Sequence, residues 1–408
     1  MSDGLIVQKY GGTSLGSPLR IRKVAEKIAA RTRDDTRIIV TVSAMGSTTD
    51  RLVRLAHEIT PHPSRRELDM LLTVGERVSM ALLSMALNSM GCRAISFTGS
   101  QSGIVTNTGH TRALIEEIHA GRIEEALSVG HVVIVAGFQG VSRAKEITTL
   151  GRGGSDTTAV ALAARLGAAR CEIYSDVPGV FTADPRIVKT ARLLPRIGYD
   201  AMLELAVLGA KVLHYRAAEL ARRYRVPLHL LSSFDDPRGT VVGNGDDVEH
   251  ESITSVTSHG NVALVRIVSQ GDGTALSGFL NLVVEREIRF VFYQRSSEGT
   301  RDSLVLVLEA DDLPAVRAAL EKIRPHGIAI DVSEPLASVS VVGTGLSSSA
   351  RAIARIEQLL GDAGIPVRYV GTSSLSVTCL VAATAREKTV DTLHTALIDA
   401  GRVRSGSA

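Results

Sequence analysis

Aromatic residues are sparse in this chain, 3% of 408 with no tryptophan, and no Lys/Arg block is interleaved with them, which excludes the basic, base-stacking surface of a nucleic-acid binder. Neither sign of charge dominates: 43 acidic residues nearly cancel 46 basic ones, so a small-molecule ligand is the better expectation. Cysteine is scarce as well. Cys92, Cys171 and Cys379 lie far apart and form neither a CxxC pair nor an even disulfide framework, so they read as core thiols in a reducing compartment. No apolar run approaches the roughly 20 residues of a membrane helix, and the N-terminus, MSDGLIVQKYGG, has no basic-then-apolar signal region. A cytoplasmic protein is expected, with neither a nucleic-acid nor a membrane partner.

Hydrophobic residues, at 44%, are abundant enough for full cores, and the length suggests two or three domains of roughly 100–200 residues each. Leu5–Gln8 is a short apolar strand that runs into Lys9-Tyr10-Gly11-Gly12-Thr13-Ser14. Ser17-Pro18 then starts a helix with proline in its first turn, and Ile21, Val24, Ala25, Ile28 and Ala29 share one face. Arg37–Val42 (RIIVTV) reads as a parallel strand buried on both faces, and it ends in the polar loop Ser43–Asp50. Leu71–Leu87 is helical, and further strands are expected at Ala94–Phe97, Val132–Ala136, Glu172–Ser175 and Leu228–Leu231. This alternation predicts an α/β fold with a doubly wound, mainly parallel sheet, whose ligands sit outside the strand C-termini. The polar loops follow strands and can converge there.

From about Glu251 the texture changes to two rounds of strand, helix, strand, strand, helix, an internal duplication of an α+β unit of about 70–80 residues. The expected domains are 1–245, 252–333 and 334–408, with a linker around Gly243–Asp247 and a frayed SGSA tail.

Ile147–Leu166 (ITTLGRGGSDTTAVALAARL) joins a strand to a glycine-rich loop and a helix, which Ser155 or Asp156 can cap. Glycines before a helix let backbone amides converge on an anion, and the helix dipole favours negative charge there. A plain strand-to-helix connection has the same pattern. Two familiar phosphate signatures are excluded. Gly11 and Gly16 have P-loop spacing, but Ser17-Pro18 replaces Lys-Ser/Thr, and Gly151-Arg152-Gly153 meets Asp156 where a dinucleotide loop needs glycine.

KYGGTS at Lys9–Ser14, SAMGSTTD at Ser43–Asp50, LLTVGER at Leu71–Arg77, TTLGRGGSDTTAVALA at Thr148–Ala163, SDVPGVFTADPR at Ser175–Arg186 and LGAKVLH at Leu208–His214 resemble, in order and spacing, the motifs of the aspartokinases of the amino-acid kinase family. The two C-terminal rounds resemble the tandem ACT (βαββαβ) regulatory domains of those enzymes. The resemblance covers essentially the whole chain. It implies phosphoryl transfer from ATP, with Mg²⁺, to the β-carboxylate of L-aspartate, the first step towards lysine, threonine and methionine.

The resemblance also implies roles. Lys9 would contact the transferring phosphoryl group, Lys211 would neutralise phosphates from the other side, and Asp156 would hold both lysines. Arg152 would hold the α-carboxylate of aspartate with its planar fork, and Glu76 would pair with the ammonium. Thr49 and Ser155 would donate hydroxyl hydrogen bonds, and Phe138 would wall the pocket. Tyr10, Gly11, Gly12, Ser43, Ser175, Asp176, Phe181 and Arg186 would join Lys9 and Lys211 around ATP. Taken singly, Lys9 could be a surface lysine, Lys211 and Glu76 helix-surface charges, and Thr49 a helix cap. Magnesium would be held largely by phosphates and water, so no protein ligand is named.

The chain departs from the family in having Ser175 and Phe181 for the usual Thr and Tyr. In the regulatory half, Gln270-Gly271-Asp272-Gly273 lacks the usual proline, Gln294-Arg295 replaces Gln-Asn, and Ser347–Ala350 replaces a His-Pro-Gly-like turn. Asp272 and Gln294 are the effector residues that the resemblance implies, but an arginine at 295 can block an amino-acid effector, which puts inhibition by lysine or threonine in doubt. All seven methionines lie at or before Met202, so no ATG start could make a separate regulatory subunit. ACT units expose sheet edges that pair with another copy, so a homodimer through that half is expected. The alternatives are an amino-acid kinase acting on glutamate or its acetylated form, and an amino-acid sensor built on a retired kinase.

Overall fold

The computed structural model describes residues 4–400 apart from 33–35, 235–237, 246–251, 271–273, 286, 287, 289, 300, 324–327, 347 and 348. The expected linker therefore lies partly, and Asp272 and the SGSA tail wholly, outside the described residues. The chain forms two compact units: Met1–Val180 with Leu193–Ala206 and Lys211–Asp246, and Asp247–Ala408 with Phe181–Arg192 and Val207–Ala210.

In the first unit the strands are β1 (Leu5–Tyr10), β2 (Arg37–Val42), β3 (Ala94–Phe97), β4 (Ile104–Thr106), β5 (Ile115–Ile118), β6 (Val132–Ala136), β7 (Gln139–Ser142), β8 (Ile147–Thr149), β9 (Arg170–Ser175), β10 (Arg196–Gly198), β11 (Leu228–Ser232) and β12 (Thr240–Gly243). The helices are α1 (Pro18–Thr32), α2 (Thr48–Ile59), α3 (Arg65–Leu72), α4 (Val74–Ser89), α5 (Gly121–Ser128), α6 (Gly154–Arg165), α7 (Tyr199–Val207) and α8 (Tyr215–Tyr224). The main sheet runs β10-β12-β11-β9-β1-β2-β6-β3, parallel except where β11 meets β12. Its strands are continuous apolar runs because helices cover both faces; Ile38, Ile39, Val40 and Val42 are all buried.

From β1 the chain goes first to β2 and later to β9 on its other side, so the order reverses at the C-terminal ends of β1 and β9. A sheet opens a crevice at such a reversal. Strand-like hydrogen bonds carry past the ends into the loops: the Gly11 N–H donates to Tyr174 O, Ser43 to Tyr10 O, Gly137 to Val42 O and Ser233 to Ser175 O. The expected convergence of polar loops is thus built by the sheet itself. A second sheet, β5-β4-β7-β8, which the sequence pattern did not announce, carries the glycine loop at the end of β8.

The helix expected over Leu71–Leu87 is two helices, broken at Thr73. The Gln139 amide donates to Thr73 O at 3.2 Å and draws that carbonyl from the helical ladder. Together, Arg65–Ser89 is long and apolar enough to cross a membrane by length and composition alone, with a mean hydropathy of 1.4. Its buried polar positions, Asp69, Glu76 and Ser79, are those of a core helix in a folded unit.

The second unit holds β13 (Ser252–Gln270), α9 (Thr274–Glu285), β14 (Phe290–Glu298), β15 (Arg301–Glu309), α10 (Leu313–Ile323), β16 (Ile328–Thr344), α11 (Ala350–Asp362), β17 (Tyr369–Thr372), β18 (Ser376–Ala382) and α12 (Arg386–His394). One antiparallel sheet, β14-β15-β13-β16-β18-β17, joins both rounds because β13 and β16 are long enough to pair along two segments. Each round has its own core, around Phe279, Leu306 and Val316 in the first and Val339, Ile356 and Val377 in the second.

Candidate active site

Lys9 leaves β1 at the sheet reversal, and its Nζ lies 2.6 Å from Asp156 Oδ1, with both side chains nearly buried. Asp156 stands in the first turn of α6, where the helix dipole favours a negative charge. Neither Ser155 nor Asp156 caps this helix. The N-cap is Gly153, left-handed at φ +68° and accepting the Thr157 N–H, so the cap sits one turn earlier and the Asp156 carboxylate is available to Lys9. A Cβ at 153 would lie 2.0 Å from the His214 ring. Gly153→Ala is therefore expected to destabilise the protein by more than about 2 kcal/mol, since clash and left-handed strain add. A melting temperature equal to the parent's would mean that the loop rearranges freely.

α6 is buried on all sides from Gly154 to Ala163, which its Gly, Ser, Thr and Ala residues make sterically feasible. A Cβ on Gly137 would come within 2.9 Å of Ser155 Oγ, so the loop after β6 lies directly on the first turn of α6. Phe138, half-buried at φ +69°, donates its N–H to Thr158 Oγ1 and accepts the Leu150 N–H, and its ring contacts Gly154. Arg152 is exposed on the glycine loop.

Glu76 enters from the first turn of α4. One oxygen, Oε1, accepts the Ala44 N–H at 3.0 Å; the other, Oε2, is buried and has no hydrogen-bond partner among the described residues. Burial pushes the Glu76 carboxyl up to about 7. Gly75 allows this approach, since a Cβ there would lie 2.7 Å from Ala44 Cβ; a Cβ on Gly12 would lie 2.9 Å from Ala44 O. The short segment after β2 thus sits between the Lys9 loop and the buried carboxylate. Beside it a cavity of about 480 Å³ is lined by Gly16, Met45, Gly46, Ser47, Thr48, Arg51, Gly75 and Val78. Thr49 is half-buried one residue into α2, where Ser47 rather than Thr49 holds the cap position.

The nucleotide residues are distributed less tightly. The Tyr10 ring is fully buried and stacked on Tyr174 at 4.7 Å, which leaves only the backbone at this position to face a ligand. Gly11, Gly12 and Ser43 line the ends of β1 and β2, and Ser175 and exposed Asp176 close β9. Ser175 Oγ is engaged with Val177 at both N–H and O. Lys211 is exposed, and among the described residues Asp156 pairs with Lys9 alone. Phe181 and Arg186 belong to the second unit, where Phe181 O accepts from Ser255 Oγ and Arg186 forks onto its neighbour Asp184. In the same unit Gln294 Oε1 accepts from Tyr369 OH at 2.7 Å, and Arg295 pairs with Asp302.

Sequence reasoning missed the role of Ala44, whose backbone contacts leave no side-chain signature, and the buried carboxylate of Asp69.

The family model described as "Amino acid kinase family" matches residues 4–232, and one described as "ACT domain" matches 339–397. An aspartokinase of Geobacillus stearothermophilus is 44% identical over 399 residues, 96% of this chain and 97% of that one. One of Mycolicibacterium smegmatis is 44% identical over 406 residues, 96% of each. The crystal structure of E. coli aspartokinase III with aspartate and ADP superposes with a TM-score of 0.82 at 25% identity, covering 96% of this chain and 99% of that one. By the sheet that places Lys9 against Asp156 and by these likenesses along its length, the chain belongs to the amino acid kinase family and, within it, to the aspartokinases.

Proposed function

We propose that this protein is an ATP-dependent aspartate kinase that transfers the γ-phosphoryl group to the β-carboxylate of L-aspartate and yields 4-phospho-L-aspartate. The observation that carries this reading is the pairing of two features around Ala44: a lysine locked to a helix-start aspartate, and a buried carboxylate oxygen with no hydrogen-bond partner among the described residues. The first suits a phosphoryl group and the second an ammonium.

The reacting β-carboxylate, with an ordinary pKa of about 3.9, is ionised at neutral pH, so the chain has no proton to remove. Its work is alignment and charge neutralisation. Lys9, oriented by Asp156, offsets charge on the transferring oxygens, and Lys211 completes this from α8's side once nucleotide is bound. Arg152 takes the α-carboxylate in a two-pronged contact, and Glu76 takes the ammonium. Ser155 and Thr49 hydrogen-bond the substrate, and Phe138 walls it. Ser43, Ser175 and Asp176 and the Gly11-Gly12 backbone serve the nucleotide. A magnesium ion would be held largely by the nucleotide phosphates and water, and no protein ligand is assigned to it. Such an ion neutralises the phosphates.

Both rounds of the second unit are read as ACT domains, at 252–333 and 334–408 after a kinase domain at 1–245, and the sheet edges β14 and β17 as the surfaces through which two copies associate. E. coli aspartokinase III has been crystallised with lysine; here Gln294 and Arg295 are engaged within the chain, so lysine and threonine are expected to inhibit weakly. The cytosol, where its free thiols stay reduced, suits the enzyme.

Aspartate-dependent ADP release, compared with glutamate and acetylglutamate and run with and without lysine and threonine, tests the reading. ADP release with aspartate alone is expected; preference for another acceptor, or binding without turnover, would sink it. Arg152→Lys should raise the aspartate KM about tenfold with kcat little changed, because an ammonium cannot reproduce the fork. An unchanged KM would place the carboxylate elsewhere.

A further inference from the structure

Asp69 is completely buried in α3, and none of the roles above uses it. A buried carboxylate is costly unless its oxygens are bonded, and here they are fully engaged. His110 Nδ1 lies 2.7 Å from Oδ2, the Thr111 N–H reaches both oxygens at 3.0 and 3.1 Å, and Thr149 Oγ1 donates to Oδ1 at 2.5 Å. Thr111 is held at φ +69°, a conformation that a β-branched residue resists and that persists only where its surroundings impose it.

The strained residue lies against the glycine loop. A Cβ on Gly151 would come within 2.9 Å of Thr111 O, and the Ala113 N–H donates to Thr149 O at 2.8 Å. Arg216 ties the same two segments from the other side, at 2.5 Å to Leu150 O and 3.0 Å to Ala113 O. Asp69 thus grips both partners of one contact, Thr149 at the end of β8 and Thr111 above Gly151. Arg152 is the next residue, exposed at the end of this clamped turn.

We propose that Asp69 is a positioning residue for the amino-acid substrate: through Thr111 and Thr149 it presets the Gly151-Arg152 turn so that the guanidinium meets the substrate's α-carboxylate without reordering. This rests on the reading of Arg152 as the carboxylate holder. Presetting removes an ordering cost from binding, so its loss is felt in substrate affinity rather than in the chemical step. If Asp69 merely joined α3 to β8, its loss would lower stability and impair kcat and the KM for both substrates together.

The test is steady-state kinetics on the full chain. Asp69→Asn should raise the aspartate KM about tenfold or more, with kcat and the ATP KM within about twofold. Adding Thr111→Gly should recover most of the affinity, because glycine takes φ +69° without strain. If the asparagine variant does not fold, Thr149→Val removes one donor and should raise the aspartate KM in the same selective way. An aspartate KM unchanged in the variants that fold, or a parallel loss of kcat and both KM values that glycine at 111 does not relieve, overturns the proposal. Failure of the aspartate kinase reading would appear separately, as a parent without aspartate-dependent turnover. An Arg152→Lys enzyme with normal aspartate KM beside an impaired Asp69→Asn enzyme would overturn the route through Arg152.

Discussion

Lys9→Ala is expected to lower kcat about 10²–10³-fold, the loss typical of one preorganised charge aimed at a transition state, while ATP binding measured by calorimetry persists. The loss comes from two steps. The transferring oxygens lose their cation, and Asp156 is left nearly buried without the ammonium 2.6 Å away. Removing one member of a buried pair costs about 3–5 kcal/mol, and less here because both groups keep some solvent. Adding Asp156→Asn to Lys9→Ala should therefore restore much of the melting temperature and none of the turnover. Near-normal ADP release by Lys9→Ala would remove lysine from the reaction.

Glu76→Gln is expected to change stability and affinity in opposite directions. The Glu76 carboxyl sits at about 7 in the folded chain against an ordinary 4.5. Because the folded pKa is raised, the folded state keeps a proton that the unfolded state loses between those values. Stability contributed by this site falls as pH rises through that window, and the penalty is complete above about pH 7. Glutamine carries no charge to desolvate, so the ligand-free protein should gain on the order of 1–2 kcal/mol at alkaline pH, part of the full difference being spent on burying an amide. The aspartate KM should meanwhile rise about a hundredfold, since the ammonium loses a buried charged partner. In the parent, the aspartate KM should fall as pH rises from about 6 to about 8 and Glu76 ionises, a slope that glutamine abolishes. A destabilised Glu76→Gln protein with unchanged aspartate KM would make this carboxylate structural.

Much of this was legible in the chain. Apolar runs such as RIIVTV specify buried parallel strands because only a strand covered on both faces can be apolar throughout, and β2 and β6 lie where such runs stand. The motif order carried the family. The small sheet β5-β4-β7-β8 escaped because strands of three or four residues leave no periodicity to read. The break at Thr73 escaped because its cause is Gln139, 66 positions away. The cap at Gly153 was misjudged because Ser155 and Asp156 have the better capping chemistry, while the position is set by His214 packing against the loop.

The sequence by itself determined which elements form and which residue types are on hand for phosphoryl transfer to a carboxylate, because burial patterns, glycine loops and short motifs are local. Only the tertiary structure decided how they act. Whether Asp156 caps a helix or holds a lysine, whether Glu76 lies in water near 4.5 or in the protein near 7, and whether Asp69 grips the turn that carries Arg152 all depend on neighbours brought from distant parts of the chain. A charge acquires its function from the solvent and partners around it, and the fold supplies both.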